Sequence, residues 1–334
     1  MKKRINWIDV LRFIGVLCII TIHIVGNTIN TFYLDGSWGN IYVIISSLCE
    51  FAIPLFVMIS GMMWLRHKTD KKKLIQHIIK ILFGIVVVGY VYAAMEIVFK
   101  GNASLQTILV EPIIRVLTMD TWAHMWYLYM LLPLYLLTPL LKKLVDKLDK
   151  DNYIILLMLS FLLFVVLHER ILMVVSIPFF DLIYKFLGYL FYYLFGYFIY
   201  REKVHKYYRY ATYTGAAVSV FYLINLAISS GDIKSVSYIS LPAFLIASTF
   251  IFLLKDKKFE HTNTIDFITS VGICSYGIYL IHQLFINIIY KVLVLDAIAK
   301  FPIFLPVYVS IVFLVSYATV YLLRKNKFIS KYII

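Results

Sequence analysis

Charge is scarce in this sequence. Only 15% of its 334 residues are Asp, Glu, Lys or Arg, while 62% are hydrophobic and mean hydropathy is +0.86. A soluble globular domain carries roughly a quarter charged residues and at most about half apolar ones. The shortfall excludes a soluble enzyme, a nucleic-acid-binding domain and a disordered protein together. Acid is scarcer still: 18 Asp and Glu stand against 32 Lys and Arg, giving a net charge of +14 and a pI near 9.4. In a soluble protein that excess points toward nucleic acid. In a membrane protein it marks the cytoplasmic side.

Cysteine is nearly absent. Cys18, Cys49 and Cys274 all lie within apolar runs, and none belongs to a CxxC pair, so neither a disulfide framework nor a zinc site is expected. No HExxH motif is present and no metal is expected. The basic N-terminus leads into an apolar run that lacks a small-residue cleavage site and carries Asp9 and Arg12, so it reads as a retained first helix. No loop is long enough for a separate soluble domain and no repeat is visible, which leaves one membrane domain over 1–334.

What the chain has in abundance is hydrophobic runs. A helix needs about 20 apolar residues to cross about 30 Å of hydrocarbon. Ten candidate spans result: 7–28, 39–65, 74–99, 124–141, 152–168, 183–200, 210–229, 236–254, 266–294 and 303–323. The stretch 103–118 is amphipathic and suits an interface. With the N-terminus inside, the inner segments hold 23 of the 32 cations and the outer loops only Lys100, Arg115, Arg170, Lys234 and Lys300. That bias alternates through every loop, as the positive-inside rule requires. The expected fold is an all-α integral membrane protein of about ten transmembrane helices, with both termini cytoplasmic and the lipid bilayer as its surroundings.

Ionisable residues at membrane depth are costly, which makes the few that remain candidates for function. Arg12 and His23 are eleven residues apart, so they share a helix face about 16 Å apart along the axis. Asp9 is three residues before Arg12 and placed to pair with it, and Asn27 extends the polar face outward. Counted from the inner span ends, His23, Glu50 and His282 all lie about 21–24 Å up, at one level. Arg12, Ser60 and Lys80 lie about 7–9 Å from the inner boundary. A cationic inner mouth and a histidine-bearing outer chamber follow, although Lys80 equally suits snorkelling to the interface.

Four segments together resemble the membrane acyltransferase family 3. Arg12 followed by His23 matches that family's Arg/Lys-x10-His signature. Ile53-Pro54-Leu55-Phe56-Val57-Met58-Ile59-Ser60-Gly61 resembles its VPLFFMISG segment, His124-Met125-Trp126-Tyr127-Leu128 its HLWYL, and Ser275-Tyr276-Gly277-Ile278-Tyr279-Leu280-Ile281-His282 its SLGIYLIH. They fall in the family's order along essentially the whole chain. Glu50 stands where some relatives carry Arg, and Ile79-Lys80-Ile81 runs on to Gly84 without the proline that often follows in the family. The nearest likeness is to small stand-alone members that O-acetylate bacterial surface polysaccharides.

The resemblance implies a multi-pass protein of the bacterial cytoplasmic membrane. It would move an acyl group from cytoplasmic acyl-CoA, acetyl-CoA foremost, to a hydroxyl of a surface polysaccharide or lipid-linked glycan outside. Acyl-CoA is then a substrate, and no permanently bound cofactor and no nucleic acid is implied. Homo-oligomerisation is left open. His23, Arg12, Glu50 and His282 form the expected catalytic set, with His23 as general base and Arg12 on the donor phosphates. Asp9, Asn27, Ser60, Lys80, His124, Trp126, Tyr127, Ser275 and Tyr279 are the expected substrate-binding residues. The rival reading is a transporter or exporter of a glycan or lipid-linked glycan, which also places polar residues within spans. Alkaline phosphatase fused within 142–150 or 201–209 should be inactive, and fused within 101–104 active; the opposite pattern would invert the topology.

Overall fold

At bilayer depth there is no water to pair main-chain N–H and C=O groups, so an apolar chain must satisfy them within itself. The computed structural model of the chain does so with helix, and contains no strand among the described residues. Those are 6–32, 36–66, 70–101, 104–167, 178–231, 237–255, 257–260, 262–292 and 301–334. Arg170, Lys234 and Lys300, assigned above to outer loops, lie outside them, as do Lys2 to Arg4, Lys68, His67, His168 and His261 and the side chains of Lys185 and Lys291.

In chain order the helices are α1 (Asn6–Phe32), α2 (Gly36–Cys49), α3 (Ala52–Leu65), α4 (Lys71–Lys100), α5 (Leu105–Leu117), α6 (Trp126–Lys147) and α7 (Lys150–Phe161). Then come α8 (Pro178–Arg201), α9 (Lys206–Ser230), α10 (Leu241–Leu254), α11 (Asn263–Asn287), α12 (Leu305–Leu323) and α13 (Lys327–Tyr332). Short polar side chains set several starts by accepting orphan N–H groups. Asp149 takes that of Asn152, Ser240 that of Ala243 and Thr262 that of Ile265. Asp70 accepts from Lys73 N–H, which holds its carboxyl below the usual range.

Seven described helical stretches are long and apolar enough to cross a membrane, against ten expected. They are Asn6–Phe32, Trp38–Leu65, Lys71–Lys100, Trp126–Lys147, Lys206–Ser230, Asn263–Tyr290 and Pro302–Leu323. The other three expected spans also fall on helices. That at 236–254 shortens to the 14 residues of α10, about 21 Å long. That at 152–168 is α7 with a π turn ending at Val166, and that at 183–200 lies in α8. The long second stretch is interrupted at Glu50–Phe51. Pro54 has no N–H to give the Glu50 carbonyl, which instead accepts from Ile53 at 3.4 Å.

The chain forms two compact units, Met1–Arg66 with Leu148–Thr319 and His67–Lys147 with Val320–Ile334. In the first, α1 packs against α2, α3 and α11, and α3 packs along α8. Glycine makes the second contact possible: a Cβ on Gly61 would fall into the main chain of Tyr193, and one on Gly196 into that of Met58. Small residues that let two backbones touch are the usual means of joining helices in lipid, where burial of apolar surface drives little. Phe191 of α8 meets Phe161, Phe195 and Phe244 at ring separations of 5.4–5.6 Å.

In the second unit, α5 lies along the latter half of α4, with the Tyr90 hydroxyl donating to the Leu109 carbonyl at 3.1 Å. Its charges are paired: Arg115 reaches Glu111 at 2.5 Å and Glu96 at 3.8 Å, and Lys100 reaches Glu96 at 2.9 Å. Met119 in the following turn adopts a left-handed backbone, φ 62°.

Gly61→Val should destabilise the protein by at least about 3 kcal/mol, the upper end of overpacking costs, because a backbone cannot yield as a side chain does. Gly26, with nothing within 4 Å of its added Cβ, provides the control. Gly26→Ala should be neutral or stabilise by up to about 1 kcal/mol. Thermal unfolding of both variants in lipid nanodiscs measures the difference, and a Gly61→Val protein as stable as wild type would contradict the close approach.

Candidate active site

Arg12 and Asp9 open the polar face of α1. Arg12 Nη1 donates to Asp9 Oδ1 at 3.2 Å, and the carboxylate is buried while the guanidinium keeps 23% of its side-chain surface exposed. Asp9 lies against Gly272 of α11, where an added Cβ would come within 2.5 Å of Oδ1. The glycine thus provides the space in which the carboxylate is held.

Farther along the same two helices His23 meets His282, with ring centroids 5.2 Å apart and ring planes inclined by 43°. His282 is fully buried, whereas His23 is half-buried. The Nδ1 atom of His282 lies 2.8 Å from the Tyr279 carbonyl oxygen and 3.1 Å from that of Ile278. Tyr279 sits beside it, ring centroids 6.2 Å apart. Beyond the histidines, Thr28 and Tyr290 share a buried hydroxyl–hydroxyl bond of 2.6 Å. Asn27 Nδ2 donates to the His23 carbonyl at 2.8 Å.

Glu50 is buried at the break between α2 and α3. The groups that act on its carboxyl electrostatically are Cys49 and Tyr238. Depth counting set it level with the histidines, but level says nothing of direction around the bundle. Ser60 and Ser275 donate to carbonyls of their own helices, those of Phe56 at 2.9 Å and Gly272 at 3.0 Å.

Lys80, His124, Trp126 and Tyr127 belong to the second unit. Lys80 Nζ donates to the main-chain oxygens of Ser330 at 2.8 Å and Ile334 at 3.0 Å, so its charge binds α13 and the residues after it. His124 is buried in the turn before α6, its ring 5.6 Å from Tyr92 and 6.4 Å from Trp122, which themselves stack at 3.9 Å. Trp126 and Tyr127 open α6 with their rings edge to face.

Sequence reasoning missed Gly272, Thr28, Tyr290, Tyr238 and Tyr92. A glycine in the same helix as the Ser275–His282 segment was a signal for a bulky or charged neighbour. The tyrosines, scattered through apolar helices, carried none. Among the described residues no group of three or more His, Cys, Asp or Glu could hold a metal ion.

A site of this kind, a cation and paired imidazoles along a helix face within an apolar protein, suits group transfer between polar substrates. No curated protein and no solved structure matches the chain. The family model of an acyltransferase domain, acyltransferase 3, does match, over residues 5–321. That range runs from just before α1 to near the end of α12, and on it the chain belongs to the acyltransferase 3 family of membrane proteins.

Proposed function

We propose that this membrane acyltransferase takes an acyl group from cytoplasmic acyl-CoA, with acetyl-CoA as donor, and passes it to a hydroxyl of a surface glycan outside. The observation that carries the proposal is the single face of α1 on which Arg12 and His23 stand, Arg12 partly exposed beside Asp9 and His23 beside His282. Arg12 binds the CoA phosphates, for which a guanidinium fork is suited. The pantetheine arm spans the roughly 16 Å to His23 along the helix.

His23 takes the proton of the acceptor hydroxyl as its oxygen attacks the thioester carbonyl. The C–S bond then breaks, and the proton goes to the departing sulfur, giving an O-acyl ester and free CoA. Imidazole is the side chain suited to both transfers near neutral pH. Tyr279 and Ser60 supply hydrogen bonds to thioester or sugar. The glycan is polysaccharide or lipid-linked, and the protein works in the bacterial cytoplasmic membrane.

His23→Ala should lower acyl transfer by about 10²–10⁴-fold, the range for a general base, while the protein still folds and inserts. Labelled acetyl-CoA and mass spectrometry of the extracted glycans measure it, and wild-type turnover by the inserted variant would overturn the role. Arg12→Gln should raise the acetyl-CoA concentration needed for half-maximal rate by at least about tenfold, the loss of one charge-assisted hydrogen bond. Unchanged acetyl-CoA binding by that variant would remove Arg12 from the donor site.

A further inference from the structure

We propose that the start of α9 and the end of α10 form a binding site for the headgroup of an anionic phospholipid. The site does not rest on the acyl-transfer reading above.

Its frame is a meeting of helix ends. Lys255, just after α10, donates from Nζ to the main-chain oxygens of Ile199 and of Glu202, the second at 3.1 Å, which ties the end of α10 to the end of α8. α9 packs along α10, and the Arg209 guanidinium lies 5.8 Å from the centre of the Phe252 ring of α10. Arg209 therefore turns toward α10, while the tyrosines around it stay open. Tyr207, Tyr208 and Tyr210 keep 69%, 70% and 62% of their surface exposed. Lys206–Ser230 is long and apolar enough to cross a membrane, which sets its first turn at a membrane surface.

Charge and shape together choose the occupant. Residues 201–210 carry four Lys and Arg and 255–260 carry three, against Glu202, Asp256 and Glu260. Glu202 is already paired with Arg201 at 2.7 Å. Lys203, Lys206, Lys257 and Lys258 are exposed, with the Lys206 ammonium 5.6 Å from the centre of the Tyr207 ring. Such a surface attracts an anion. Charge alone would suit a soluble phosphate equally, but three exposed phenol rings would not. A tyrosine at a membrane surface rests its ring on acyl chains and offers its hydroxyl to headgroup oxygens. The ligand that presents acyl chains and a net negative head together is an anionic phospholipid. A zwitterionic lipid brings the same phosphate with an ammonium that the lysines repel.

Native mass spectrometry of the full-length protein in detergent, titrated with phosphatidylglycerol or phosphatidylcholine, tests the site. Phosphatidylglycerol should bind at least about tenfold more tightly, and Lys203→Gln/Lys206→Gln/Lys257→Gln should lose at least about tenfold of that affinity. Lys143→Gln/Lys147→Gln/Lys150→Gln removes the same charge from exposed positions elsewhere, and should change the affinity less than about threefold. With every cation in place, Tyr207→Ser/Tyr208→Ser/Tyr210→Ser should weaken binding by at least about threefold, the worth of one hydrogen bond. Equal affinity for the two lipids overturns the proposal. Equal losses in the two lysine triples overturn it too, since net charge and no site would then be at work. An unchanged affinity in the tyrosine triple, or displacement of bound phosphatidylglycerol by equimolar glycerol 3-phosphate, would give the patch to a soluble phosphate and overturn the lipid assignment.

Discussion

A cation inside an apolar bundle needs an opposite charge, main-chain oxygens or water close by, and for Arg12 the nearby group is the Asp9 carboxylate. The pair is asymmetric: Asp9 is sealed against Gly272, while Arg12 keeps part of its surface open. The anion is buried while part of the cation's surface stays open. The pair also fixes how α1 sits on α11, because Asp9 fits only where that helix has no side chain. The same pair of helices then brings His23 to His282 and Thr28 to Tyr290 farther along. One packing constraint sets the Arg12–Asp9 pair and the His23–His282 contact together.

Apart from Ser60, the proposed chemistry asks little but rigidity of the rest of the first unit. The glycine contacts of α3 and α8 and the aromatic cluster of Phe161, Phe191 and Phe244 provide it without polar groups. A general base must be held within hydrogen-bond reach of its proton, and an error of one ångström is expensive. A histidine packed against a buried neighbour, on a helix that also carries the Arg12–Asp9 pair, suits that requirement.

Much of this was legible in the sequence for a simple reason: helical geometry in a membrane is nearly one-dimensional. A fixed rise per residue gives depth and a fixed turn gives direction on each helix, so Arg12, His23 and Asp9 could be set on one face and His282 at the level of His23. The family resemblance carried by residues from Asp9 to His282 agreed with the family match over 5–321. Direction around the bundle was not legible, because it depends on which helices are neighbours. Glu50 shares the level of the histidines, yet its electrostatic neighbours are Cys49 and Tyr238. Nor did the sequence show that the Lys80 ammonium, expected among the substrate-binding groups, donates to the main-chain oxygens of Ser330 and Ile334. Helix lengths were also beyond the hydropathy pattern, since Ser240 starts α10 within what reads as a longer apolar run.

The central claim is that the donor lies along α1, its phosphates at Arg12 and its thioester at His23. A cryo-EM structure of the full-length protein in nanodiscs with a non-hydrolysable acetyl-CoA analogue tests it most directly. The account predicts pyrophosphate density beside Arg12 and the acyl carbon next to the exposed edge of His23. Analogue bound elsewhere in the protein, with Arg12 and His23 both clear of it, would contradict the account.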